Sequence, residues 1–406
     1  MVKWRTTAAA LAAALALAGC KRVDDAGAAP APQAQQGFEL TPAVSAMRWQ
    51  LLNPEINSFT FRETKEVFEY RDVRRGDETW ELPSGEGFVM PEGYEGWAER
   101  TFTNAFLVLR DGEIVFEDYR NRMTPETRHI GFSMTKTITA MLVGQALAEG
   151  EIASLDDPVA KYVPELANGG YGKATLRNVL EMRSGADIDE RYDFGENPSL
   201  AGRIHETAIV RNEARFADFA VDVGSRNAPG STFNYATLDT AVLGWVLEKA
   251  TGQRIETLME QRIWQPLGAE FDGFFIADGP PGAGRALNGM GFNATLRDFA
   301  RLGQMMLDGG TADGREVVPA DWLAQMTAMK PTGGPRQGYG LQTWQVDDQP
   351  GAYAAVGLAG QMIYVHPATR TVIVKLSYHP PVPPESTMPD TLDFFHAIVR
   401  QPGGTR

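Results

Sequence analysis

Ser133 and Lys136 are the two side chains whose types and spacing most directly allow covalent chemistry in this chain. They stand three apart in Ser133-Met134-Thr135-Lys136, ahead of an apolar run from Thr137 to Ala148 that closes at Gly150. That run is rich in Ala, Leu, Ile and Met, which predicts a helix. Residues three apart at a helix start share one face, one turn apart. A helix start also presents unpaired N–H groups and a positive field. A serine placed there can lose its proton to a neighbouring amine while its own N–H faces an oxyanion. The amine acts as a base only when neutral, which requires desolvation or a nearby cation. A surface N-cap serine beside a solvated lysine is the plain alternative, and the rest of the chain decides between the two.

Several elements must position this pair. Phe106 to Glu117, with Asp111-Gly112 in the middle, reads as a strand, a tight turn and a second strand. From Leu155 to about Leu307 the chain reads as mostly helical and loop-rich, with helices over 175–182, 238–250 and 296–307 and Gly252 as a C-cap signal. Gln361–Val365 and Thr371–Tyr378 flank His366–Arg370 as a β-hairpin, and a helix follows from Thr391 to Gln401. Strands near both ends with helices between them predict a mixed α/β (α+β) fold. Its antiparallel sheet is built from both chain ends and flanked by helices, with a mainly helical subdomain inserted over 155–307. Residues 42–95 carry aromatics and charges without a clear period, so they read as an N-terminal extension wrapped around a main domain over 96–406. No internal repeat is present.

The ends and the composition narrow the function classes. Lys3 and Arg5 precede an Ala/Leu run from Thr6 to Leu17 that is too short to span a bilayer, as in a signal peptide over residues 1–19. Leu17-Ala18-Gly19-Cys20 resembles a bacterial lipobox, which implies cleavage before Cys20 and a lipid on its thiol. Residues 20–41, rich in Ala, Pro, Gln and Gly, then read as a flexible tether. Lys21 is not the aspartate that favours inner-membrane retention, so the expected location is the cell envelope, at the outer membrane facing the periplasm. The lipid is the expected membrane contact. Cys20 is the single cysteine, which excludes an internal disulfide, a zinc–cysteine cluster and a cysteine nucleophile. The net charge is −14 and no basic cluster occurs, which argues against a nucleic-acid partner.

Ordered motifs downstream of Ser133 carry a family resemblance. Leu155-Asp156-Asp157-Pro158-Val159, Tyr162-Val163-Pro164-Glu165 and Thr175-Leu176-Arg177-Asn178-Val179-Leu180-Glu181-Met182-Arg183-Ser184-Gly185 follow Ser133-x-x-Lys136. Together they resemble the serine β-lactamase and penicillin-binding-protein superfamily over roughly residues 100–380. Within it the chain is most similar to the class C-like branch, which holds family VIII carboxylesterases and 6-aminohexanoate-dimer hydrolases. The resemblance implies a β-lactamase/transpeptidase-like fold and an acyl-serine mechanism that calls for no cofactor or metal. It implies Ser133 as nucleophile and Lys136 with Tyr235 as the proton-transfer pair. Tyr235 matches the tyrosine of the branch's Tyr-x-Asn motif, and Thr237 stands where the asparagine is expected.

The third motif, Lys-Thr-Gly or His-Thr-Gly on an edge strand, aligns with Ala355-Val356-Gly357-Leu358-Ala359-Gly360. By that alignment Gly357 and Gly360 let the strand approach a substrate, and the N–H of Leu358 joins that of Ser133 as an oxyanion donor. Ala355 replaces the cation that meets a β-lactam or D-Ala carboxylate, and no Glu-x-x-Leu-Asn segment is found. β-Lactamase and DD-peptidase activities are thereby disfavoured, and a small ester or linear amide is the expected substrate. Three further residues are pocket candidates by resemblance. Asn293 is either an active-site amide or a helix N-cap. Trp344 is either a pocket wall or a core tryptophan. Tyr192 is either part of a substrate-covering loop or a surface tyrosine.

Other readings fit less well. The five histidines accompany no Gly-x-Ser-x-Gly elbow, and His129, four residues before Ser133, fits no triad order. No two histidines have helical metal-ligand spacing, and glycine pairs such as Gly333-Gly334 lack a strand–loop–helix context. A non-catalytic binding scaffold of the same fold is the remaining alternative, and the joint presence of Ser133, Lys136 and Tyr235 argues against it.

Overall fold

Asp111 and Gly112 both adopt positive φ, at 52° and 83°, as the two central residues of a tight hairpin turn do. The strands they join are β1 (Thr103–Arg110) and β2 (Glu113–Tyr119). In the computed structural model, which describes residues 40–280, 282–334 and 338–401, five more strands complete the main sheet. They are β3 (Gly338–Tyr339), β4 (Trp344–Gln345), β5 (Tyr353–Val356), β6 (Met362–His366) and β7 (Thr371–Ser377). The order is β2-β1-β7-β6-β5-β4-β3. Every pairing is antiparallel, so N- and C-terminal strands meet where β1 lies beside β7, with Val108 opposite Ile373. The signal segment, Cys20 and most of the tether lie outside the described residues.

Alternation along β1 explains why the sheet is covered on both sides. Leu107 and Leu109 point with Val372, Val374 and Ile363 into the larger core, while Phe106 and Val108 point with Ile373 and Tyr364 into the smaller one. The helices that frame the sheets include α1 (Pro42–Trp49), α2 (Met134–Ala148), α3 (Leu176–Leu180), α4 (Thr237–Thr251), α5 (Leu296–Leu307) and α6 (Thr387–Val399). Helix α5 lies against β6 and β7 at Gly303, where a Cβ would come within 2.5 Å of Val372 and 2.7 Å of Ile363. On the other face Trp97 stacks on Phe394 of α6, with centroids 4.3 Å apart. Helix α6 begins one turn before the sequence-based expectation of Thr391.

Helices α2 and α4 are buried on nearly all sides, as central helices of a large core are. Their local signals are complete: Gly252 ends α4 with φ of 70°, and Thr175 and Asn178 form a reciprocal capping box on α3. Gly144 of α2 admits the Trp322 indole, which a Cβ would meet at 2.1 Å.

A second antiparallel sheet was not expected. It orders Tyr70–Val73, Gly273–Ile276, Phe292–Ala294 and His129–Ile130. Two of these strands lie inside the 155–307 segment, which is therefore not purely helical. The first belongs to the 42–95 segment, whose Phe61, Phe68 and Val73 join the large core. Helix α1 is tied in by Arg48, buried with its guanidinium donating to the carbonyls of Val67 and Val210 at 2.8 and 3.1 Å. Its neighbour Trp49 meets Phe194 edge-on at 5.0 Å and His205 at 5.6 Å. No helix of the described residues is long and apolar enough to cross a membrane.

Candidate active site

The segment entering Ser133 is held by the second sheet. Ile130 pairs with Asn293, and the Gly131 N–H donates to the Phe292 carbonyl at 2.8 Å. Phe132 then takes φ of 45°, an uncommon conformation for a bulky residue, with its ring fixed edge-on against Phe61. That turn places Ser133 immediately before the first residue of α2.

Lys136, one turn later, is buried to 1 % exposure. Its Nζ lies 2.8 Å from Ser133 Oγ, 2.9 Å from Thr237 Oγ1 and 2.8 Å from the Gly289 carbonyl oxygen. Burial pulls the Lys136 ammonium down to about 8, against the upward pull of the Glu190 and Asp239 carboxylates. An amine in that range is available as a base near neutral pH. Asp239 is fully buried, accepts from the hydroxyls of Tyr171 and Ser184 at 2.7 and 2.9 Å, and is pushed up to about 7 by burial.

Tyr235 places its ring centroid 5.0 Å from Lys136 Nζ. Trp344 of β4 lies 5.4 Å from that ring at 33°, and Tyr339 of β3 stands 6.2 Å away, edge-on. Phe233 contacts both Tyr339 and Trp344. Trp344 is thus a buried wall that holds the Tyr235 ring, joining the two alternatives open to it.

The glycines of the third motif bring β5 to the Ser133 segment. A Cβ on Gly357 would stand 2.2 Å from the Gly131 carbonyl oxygen, two residues before Ser133. Gly360, at φ of 86°, lies so close to the His379 ring that a Cβ would stand 2.3 Å from it. Between them Leu358 opens a short 3₁₀ turn and is half exposed.

Asn293 is a correction. It lies on a strand of the second sheet, fully buried, where its Oδ1 accepts from the Thr64 hydroxyl at 2.8 Å and its Nδ2 donates to the Gly291 carbonyl at 2.9 Å. The N-cap of α5 is Thr295, whose hydroxyl accepts from the Asp298 N–H. Asn293 therefore ties the N-terminal segment to the strand beside Ser133 and fills neither expected role.

Glu190 and Gly289 were missed. Glu190 accepts from the Thr237 N–H at 2.7 Å, the Thr237 hydroxyl at 2.6 Å and the Tyr192 hydroxyl at 2.6 Å. Tyr192 thus turns its hydroxyl onto Glu190 while its ring packs with Phe194 and His205. Burial, followed by the Glu190 charge, pushes the Tyr192 phenol well up. Among the described residues, no group of three or more His, Cys, Asp and Glu could hold a metal ion.

The chain is similar to several known proteins. A 6-aminohexanoate-dimer hydrolase from Paenarthrobacter ureafaciens is 34 % identical over 301 residues, spanning 70 % of this chain and 74 % of that protein. Esterase EstB from Burkholderia gladioli is 31 % identical over 192 residues, covering 42 % of this chain and 47 % of that one. In fold, a Bacillus anthracis protein named as a candidate 6-aminohexanoate-dimer hydrolase superposes with a TM-score of 0.74 at 22 % identity, covering 92 % of this chain and 98 % of the other. A family VIII carboxylesterase superposes with a TM-score of 0.57 at 16 % identity, covering 77 % and 99 %. The β-lactamase family model matches residues 95–397, three quarters of the sequence, from ahead of β1 to within the last turn of α6, so the chain belongs to the β-lactamase family and is a serine hydrolase.

Proposed function

We propose that the protein hydrolyses esters or linear amides through an acyl-Ser133 intermediate. The observation that carries this is the approach of a buried, easily deprotonated Lys136 Nζ to within 2.8 Å of Ser133 Oγ. In the forward step the amine takes the Ser133 hydroxyl proton, and Oγ bonds to the substrate carbonyl carbon. The oxyanion then sits between the N–H groups of Ser133 and Leu358. Loss of one such donor typically costs on the order of hundredfold in rate. Lys136 and Tyr235 return the proton to the departing alkoxide or amine. Water then attacks the acyl-enzyme, giving its proton to the same pair, and Ser133 is regenerated.

The neutral residue at Ala355 supports this substrate class. Its side chain is buried in the large core and offers no cation to a substrate carboxylate. A site without a partner for a group has no means of selecting for it. Short-chain p-nitrophenyl esters are therefore expected to turn over much faster than nitrocefin. Ser133→Ala is expected to abolish ester turnover and labelling by a fluorophosphonate while the fold stays intact. Labelling retained at another serine would remove the assignment.

A further inference from the structure

Lys136 is surrounded so that only one orientation of its amine is productive. The Gly289 carbonyl can only accept a hydrogen bond, and it sits 2.8 Å from Nζ. Thr237 Oγ1, at 2.9 Å from Nζ, could donate or accept if left alone. It is not left alone. The Glu190 carboxylate, which already holds the Thr237 N–H at 2.7 Å, lies 2.6 Å from that hydroxyl. A carboxylate oxygen and a hydroxyl oxygen at this distance need a proton between them, and the hydroxyl supplies it. The Thr237 oxygen is left with lone pairs toward Lys136. A neutral amine has two N–H bonds and one lone pair. With both N–H bonds engaged by Gly289 and Thr237, the lone pair faces Ser133 Oγ.

We propose that Glu190, acting through the Thr237 hydroxyl, is a positioning residue that aims the lone pair of Lys136 at Ser133. The proposal rests on the acyl-Ser133 reading, and it adds a residue that touches neither Ser133 nor Lys136 by hydrogen bond. Thr237 stands where the resemblance leads one to expect asparagine, whose amide could offer Lys136 either its donor or its acceptor end. The charged and titratable groups around Lys136 are Glu190 and Asp239, the Tyr235 ring 5.0 Å away, and Tyr192 and Tyr171 behind the two carboxylates. Without Glu190 the Thr237 hydroxyl can swing its proton toward Nζ. The lone pair then meets Thr237, and an N–H points at Ser133.

The test measures the rate at which a fluorophosphonate phosphonylates Ser133, as a function of pH. In that step the Oγ–P bond forms, the P–F bond breaks, fluoride leaves and the hydroxyl proton passes to Lys136. No knowledge of the natural substrate is needed. Glu190→Gln is expected to lower the high-pH plateau about tenfold or more, because misaligned general-base catalysis forfeits part of its usual 10²–10⁴-fold effect. The acid limb should shift to lower pH at the same time, since the charge that holds the Lys136 proton is gone. Thr237→Val should lower the plateau similarly, and Thr237→Ser should keep it within about threefold because the hydroxyl remains. Glu190→Gln in the Thr237→Val background should cost little more, because the two residues form one unit. A Glu190→Gln plateau equal to wild type, with only the limb moved, would reduce Glu190 to a distant charge and overturn the proposal. Independent, multiplicative losses would overturn it too. Mass spectrometry of the labelled wild type separates the underlying reading, which fails only if the phosphonate is not on Ser133.

Discussion

In the proposed mechanism the amine of Lys136 sets the pH range of the reaction. Its lowered value follows from burial first, and the carboxylates of Glu190 and Asp239 keep it from falling further. The sign is direct: the base must be neutral, so kcat/KM should rise about tenfold per pH unit below the lysine value and level off above it. The limb is expected near pH 8, and Lys136→Arg, which stays protonated, should lose the plateau altogether. A profile that is flat from pH 6 to 10 would show that another group takes the serine proton. At this scale the sequence was most legible where the chemistry is local. Ser133 and Lys136 announce themselves by spacing, and Tyr235 by its place ahead of α4. Glu190 did not, because its partner Thr237 is 47 residues away, across loops and short helices that give no pattern linking the two. Gly289 did not because its contribution is a carbonyl, which every residue has.

At the scale of elements, the site depends on how closely β5 approaches the turn before α2. Gly357 has ordinary extended φ and ψ, so a side chain there is opposed by space alone. The obstruction is the Gly131 carbonyl oxygen at 2.2 Å, backbone that cannot swing aside. Gly357→Ala should therefore push the strand and Leu358 away from Ser133. Ester turnover should fall about hundredfold, as misplacements near 1 Å can cost, while the thermal midpoint moves by only a few degrees. Activity near wild type would mean that Leu358 has no part in the oxyanion site. The hairpin at Asp111-Gly112 and the caps of α3 and α4 were readable from sequence because turn and cap chemistry is local. The second sheet was not, because its strands are two to four residues long, too short for alternation to show. The same sheet explains Asn293, whose buried amide reads in sequence like a site residue.

The whole molecule carries a buried amine that the site does not use. Lys375 on β7 is fully buried, donates to the Thr101 carbonyl at 2.7 Å and to the Ser377 hydroxyl, and faces the Trp97 ring at 5.6 Å. Burial holds its ammonium well below the usual lysine range. Between that lowered value and the ordinary value, the unfolded chain binds a proton that the folded chain does not. Stability should therefore rise with pH across this window, by up to about 1.4 kcal/mol per pH unit from this one group. Lys375→Met should flatten the rise in urea unfolding measured just below the ordinary lysine value of about 10.4, and an unchanged slope would place the ammonium in the folded core.

Helix α1 has a practical consequence for anyone who attaches this protein to a surface. Trp49 at its end leans on Phe194 and His205, and the same stretch of chain carries Tyr192 and Glu190. A bead or support coupled ahead of residue 42 therefore loads a helix that is held by Arg48 on the Val67 and Val210 carbonyls and that meets, through Trp49, the loop carrying Glu190. Coupling through the other end loads α6, which is braced by the Trp97–Phe394 stack beneath the main sheet. The two ends are not equivalent handles, because α1 meets that loop through Trp49 while α6 is braced by Trp97.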